Sequence, residues 1–155
     1  MPRFQNSPSI LLAGLALAAF WLCGCAMAGS GSAGSGLVLA PVASLSLCNQ
    51  TPGGCSVAAS YSLGSMRDLA VNVQWSHVPE GTHTATFEIL QPGGGLYQVQ
   101  NVSFVADSAD AAAQTGILVP VAGTWITQRS LTGSWSVRIS LDNQAMDEQA
   151  FALLP

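Results

Sequence analysis

The sequence predicts an all-β protein built as a single antiparallel β-sandwich of about seven strands. Three observations carry that prediction. From about residue 37 the apolar residues recur with a period of two, the mark of strands buried on one face. Turn formers interrupt the alternation at short intervals. No later stretch sustains a helical period long enough for a core helix.

The chain opens differently. Ile10 to Leu22 is an uninterrupted apolar run preceded by Arg3, the arrangement of an export signal. Helix over those residues would reach only about 20 Å, short of the roughly 30 Å hydrocarbon core, so a cleaved signal is expected rather than a span. The run closes on Leu22-Cys23-Gly24-Cys25, which resembles the lipobox of bacterial lipoprotein signal peptides, with Cys23 standing where Ser or Ala is usual. That resemblance implies that residues 1–24 are removed and that Cys25 becomes the first residue, carrying a diacylglyceryl thioether. Ala26, rather than aspartate, follows it. By the same resemblance the lipid anchors the protein in the cell envelope, at the outer membrane, and no cofactor beyond that covalent lipid is expected.

Residues 29–36, Gly-Ser-Gly-Ser-Ala-Gly-Ser-Gly, read as a flexible linker. Residues 25–44 are accordingly assigned to a lipidated tether and residues 45–155 to the folded domain. Cys48 and Cys55 remain as one even pair beyond Cys25, separated by Asn49-Gln50-Thr51-Pro52-Gly53-Gly54. Turn formers in the loop and an oxidising destination favour a disulfide. The rival, a metal pair, lacks a third and fourth ligand at zinc-like spacing.

Leu69, Val71, Val73 and Trp75 alternate with Ala70, Asn72, Gln74 and Ser76, which gives a strand with one apolar face. Val78-Pro79-Glu80-Gly81 then reads as a turn, and His83, Ala85, Phe87 and Ile89 as the matching face of a hairpin partner. Pro92-Gly93-Gly94-Gly95 breaks the chain before a strand from Tyr97 to Val105, whose apolar parity slips between Val99 and Val102 and suggests a bulge near Gln100 or Asn101. Residues 106–114 read as a loop or a single helical turn. Ile117, Val119 and Val121 mark a further strand, with Pro120 tolerable only at an edge or an end. Trp135, Val137, Ile139 and Leu141 form the clearest alternation, Asp142-Asn143 the turn after it, and Phe151 and Leu153 the closing strand.

The segment Gly133-Ser134-Trp135-Ser136-Val137-Arg138-Ile139-Ser140-Leu141-Asp142 resembles the penultimate strand of bacterial immunoglobulin-like and fibronectin-III-like domains. Residues 82–97, with their Thr residues, Phe87 and Pro-Gly-Gly-Gly-Leu-Tyr, resemble a middle hairpin of such domains. The likeness covers about residues 50–155 and implies an immunoglobulin-like sandwich. Cys48 and Cys55 lie too close in sequence to form the inter-sheet disulfide of antibody domains.

Charge narrows the function. The cations are four arginines, of which Arg3 leaves with the signal, against eight acids that all remain, so the side-chain charge beyond Cys25 is −5. Nucleic acid is therefore not an expected partner, since phosphate binding needs a basic surface. His77, Glu80 and His83 cluster around one turn and are the candidates for a divalent metal, but no third imidazole or thiolate accompanies them, and no metal is expected. Asp107 and Asp110 supply too few oxygens for calcium. No Gly-x-Ser-x-Gly elbow occurs, and no catalytic residue is assigned. Trp75 and Trp135 share parity with aliphatic neighbours and belong in the core, whereas Trp125, with Tyr97, is the candidate ligand-binding aromatic. The reading is a non-enzymatic binding or scaffolding module. Its expected partners are the membrane, through the lipid, and an envelope protein, with polysaccharide binding through exposed aromatics as the alternative and a small hydrolase or metalloenzyme as the remaining one.

Overall fold

The computed structural model describes residues 39–108 and 111–155. Cys25, the apolar N-terminal run, the Gly/Ser stretch and Asp110 lie outside them. Nine strands occur among the described residues: β1 (Val42–Thr51), β2 (Gly54–Val57), β3 (Ser60–Ser62), β4 (Asp68–Ser76), β5 (Gly81–Leu90), β6 (Leu96–Ala106), β7 (Ala113–Pro120), β8 (Gly133–Leu141) and β9 (Gln144–Leu154). One helical turn, α1 (Trp125–Gln128), sits between β7 and β8. The strands form a four-stranded sheet in the order β2-β1-β4-β7 and a five-stranded sheet in the order β3-β9-β8-β5-β6. Every pairing is antiparallel except β3 with β9.

The period-two pattern forms the core as expected. Leu69, Val71, Val73 and Trp75 of β4 point inward and pack with Phe87, Ile89, Trp135, Val137 and Ile139 from the other sheet. Both core indoles have hydrogen-bond acceptors, which is what lets so large a polar-tipped side chain be buried. Trp75 Nε1 donates to Thr115 Oγ1 at 2.8 Å and Trp135 Nε1 to the Leu131 carbonyl at 3.0 Å. Tyr61 on β3 ties the sheets together, its hydroxyl donating to the Leu47 carbonyl on β1 at 2.9 Å.

In β4-β7 on one side and β9-β8-β5-β6 on the other, the strand order is that of strands B-E and G-F-C-C′ of immunoglobulin domains. The domain is an immunoglobulin-like β-sandwich. β8 is the penultimate strand and β5–β6 the middle hairpin, where the resemblance in sequence placed them.

Several elements differ from the sequence reading. The count is nine rather than about seven because β2 and β3 are only four and three residues long and carry no apolar alternation. β1 begins at Val42, so residues 42–44 of the assigned tether are strand, paired with Ser76, Trp75 and Gln74. β4 and β5 do not form a hairpin: the segment between them carries the chain from one sheet to the other. Two strands with matching inward faces satisfy the same alternation whether they lie side by side or stack across a core, and periodicity alone cannot choose. The bulge falls at Tyr97, between the pairs Ile89 with Gln98 and Leu90 with Leu96, not at Gln100 or Asn101. From Gln98 to Ala106 the parity is unbroken, and Gln100 faces half-inward because β6 is an edge strand. Pro120 is the last residue of β7, itself an edge, where its missing N–H leaves no ladder bond unmade. The Asp142-Asn143 turn is as expected, both residues being left-handed (φ 49° and 70°) in the two-residue hairpin between β8 and β9.

Candidate functional site

Cys48 and Cys55 form a disulfide with their Cα atoms 5.5 Å apart. It clamps β2 onto β1 across a diagonal of the ladder, since Cys48 pairs with Val57 and Cys55 with Gln50. The link therefore lies within one sheet.

The histidines resolve into two separate environments. His77 has left-handed backbone (φ 58°) at the exit of β4, and the neighbouring Val78 plugs the core. His83 begins the inward face of β5, with its side chain 12% exposed and its ring against Phe104. Its Nδ1 donates to Asp142 Oδ2 at 2.7 Å and its Nε2 to the Pro79 carbonyl at 2.8 Å. Both partners are acceptors, so only the imidazolium makes both bonds. The hydrogen bond to Asp142, aided by Pro79 and opposed by burial, raises the His83 pKa above its ordinary 6.5. Asp142, which accepts from His83 and from the Thr84 N–H (2.8 Å), is held below its ordinary 3.8. His83 thus has no free nitrogen for a metal, and no group of three His, Cys, Asp or Glu side chains able to hold one occurs among the described residues. With β4 and β5 in different sheets, the turn that carries His77, Glu80 and His83 does not set the two histidines on paired strands. Asp142 was legible as a turn residue, but its pairing with His83, 59 positions away, left no local signal.

The aromatic candidates also part company. Trp125 opens α1, 54% exposed, with the Arg129 guanidinium 4.2 Å from its ring centroid. Thr124 caps that turn, its Oγ1 accepting from the Ile126 N–H. Tyr97 is half-buried and sets its edge against Trp135 with centroids 5.4 Å apart. Trp75 and Trp135 are buried, as expected.

Two surfaces are candidates to receive a partner. On the outer face of the four-stranded sheet a shallow cavity of about 490 Å³ is lined by Ser44, Ser46, Asn72, Gln74, Gln114 and Gly116. Gly116 forms part of it for a steric reason, because a Cβ there would lie 2.9 Å from both the Val71 carbonyl oxygen and Asn72 Oδ1. The second surface is β6. It pairs with β5 on one side, and among the described residues no strand pairs with the other. Eleven residues long, it holds no charge and no proline, and its outward side chains are Leu96, Val99, Asn101, Ser103 and Val105. Natural edges are usually shortened, charged or interrupted. β2 and β3 are short, and β7 carries Gly116 and ends in Pro120; β6 has the bulge at Tyr97 and lies beside β7, but from Gln98 to Ala106 it carries neither a charge nor a proline.

No protein-family model matches the chain, and no curated protein sequence matches it. Solved structures do. An immunoglobulin-like protein from Pseudomonas aeruginosa superposes with a TM-score of 0.48 at 12% identity, covering 77% of this chain and all of that one. The alkylpurine DNA glycosylase AlkC of Pseudomonas fluorescens, bound to DNA containing an abasic site analog, gives 0.45 at 14% identity over 74% of this chain and 30% of its own. The C-terminal domain of wzt gives 0.43 at 15%, over 72% and 71%. At such scores and identities these likenesses carry no statement about function.

Proposed function

We propose that this protein is a lipid-anchored, non-catalytic binding module of the cell envelope, held at the outer membrane through Cys25, whose partner adds a strand to β6. The observation that carries the reading is the unpaired edge of β6, uncharged and regular from Gln98 to Ala106, with Val99 and Val105 exposed on the outer face. Strand addition supplies main-chain hydrogen bonds for affinity and alternate side chains for specificity. His83, with both nitrogens bonded to a carboxylate and a carbonyl, activates no nucleophile.

The test has two arms. Palmitate labels the wild-type protein, and Cys25→Ser abolishes the label and releases the domain from the membrane; persistent labelling overturns the anchor. A photo-crosslinking residue at position 101 captures an envelope component that the same residue at 143 does not. Equal or absent capture overturns strand addition.

A second reading, binding of a neutral polysaccharide, draws support from the cavity over β1, β4 and β7. Its lining of hydroxyls and amides, without a charge, matches the donors and acceptors of a polyol. Trp125 lies beyond the opposite end of β7 and would have to act separately. Retention on a glycan surface that Asn72→Ala abolishes and Trp125→Ala does not would favour this reading.

A further inference from the structure

We infer that the strand received by β6 is the β6 of a second copy of this chain, paired antiparallel about a two-fold axis at Val102. This rests on the reading of β6 as a docking edge and names its occupant. The argument is the side-chain order along the outer face: Val99, Asn101, Ser103, Val105, apolar at both ends and polar in the middle. Antiparallel pairing centred on Val102 sets Val99 of one copy opposite Val105 of the other, and Asn101 opposite Ser103. Each apolar residue then meets an apolar one and each amide a hydroxyl, twice over. On the inner face Val102 meets Val102, and Gln100 meets Phe104.

The electrostatics permit it. β6 carries no charge that self-pairing would set against its own image. Glu88, one strand further in and opposite Val99, is bonded to Arg138 at 3.4 Å. Asp107, just past the strand, would lie opposite the Tyr97 bulge, so the two copies of Asp107 end about 34 Å apart. The paired stretch, Gln98 to Ala106 on each copy, stops at that bulge, which bends the edge away. Two five-stranded sheets would then join into one sheet of ten.

Symmetry supplies a second reason. A two-fold contact uses the same edge on both copies and closes, whereas joining β6 to a different edge would propagate into fibres. Self-pairing thus covers the unpaired edge in a finite complex. A contact limited to one strand per copy falls at the small, transient end of interfaces. Confinement of both copies to one membrane would raise their effective concentration enough to populate it.

The experiment uses the full-length chain in its native envelope. Asn101→Cys and Ser103→Cys are placed singly on two differently tagged copies and co-expressed. Directly opposite residues have Cα atoms about 4.5–5.5 Å apart, within disulfide reach. The mixed pair should cross-link at least fivefold more than either variant alone. Asn101 and Ser103 are exposed, so a charge test leaves the fold intact. N101K/S103K sets lysine against lysine twice and should lower the dimer fraction at least tenfold, while N101K/S103E sets lysine against glutamate and should retain it. Cross-linking without preference for the mixed pair, or equal dimerisation of the two double variants, overturns the inference. If Asn101→Cys is captured by another envelope protein and never by its own copy, self-pairing falls and β6 as a docking edge stands. If it is captured by nothing, both fall.

Discussion

The His83–Asp142 pair makes stability depend on pH in a defined direction. The imidazolium joins three elements: its own strand β5, the Pro79 carbonyl in the crossover from the other sheet, and Asp142 in the β8–β9 turn. Asp142 in turn exchanges backbone contacts with Thr84, its N–H donating to the Thr84 carbonyl at 2.9 Å. The His83 pKa is raised on folding, so its contribution is fully present below 6.5 and is lost as pH climbs through the raised value. Asp142 is depressed, so its contribution is present above 3.8 and is lost as pH falls through the lowered value. The pair is therefore strongest between those limits. A hydrogen bond to a charged group is worth about 1.5–3 kcal/mol. Asp142 is 51% exposed, and solvent screening discounts the loss on deprotonating His83 to about 1 kcal/mol. For a domain of this size that is a fall of roughly 4 °C in Tm. Melting followed by circular dichroism at about pH 5.5 and about pH 8.5 should show the drop in the wild type, and His83→Gln should remove most of it. Asp142→Asn keeps the left-handed turn and the Thr84 contact but should also flatten the profile. If His83→Gln retains the full wild-type pH dependence, the assignment is wrong.

Two further outcomes test the core and the clamp. Thr115→Val, isosteric and buried, leaves the Trp75 N–H without its acceptor and should cost about 1–3 kcal/mol, read as a lower denaturation midpoint at unchanged slope. Replacing both Cys48 and Cys55 with alanine frees a loop with a sequence separation of seven and should cost about 2.5 kcal/mol on chain-entropy grounds. A matching loss in the wild type under reductant, with none in the double variant, would confirm the source.

Much of the fold could be read locally because the pleat is local. Leu69 to Trp75 and Trp135 to Leu141 announce their inward faces, since successive side chains of a strand must point to opposite sides. Asp142-Asn143 announces its turn because few other residues tolerate left-handed backbone there. β2 and β3 announced nothing, because β2 is held by the disulfide and β3, three residues long, pairs with the C-terminal end of β9 and sends only Tyr61 into the core. The bulge at Tyr97 was misplaced because an edge strand can afford a half-buried Gln100, which imitates a change of parity.

The candidate site was less legible, for the same reason. The sequence by itself determined which residues are apolar on one side, which cysteines lie near enough to bond, and that β6 would be a strand without charge. Only the tertiary structure decided that β4 and β5 belong to different sheets, that His83 meets Asp142 instead of His77, and that β6 rather than a better-protected strand ends its sheet. Periodicity reports the face a residue takes, while pairing and edges depend on how all the strands together close two sheets over one core.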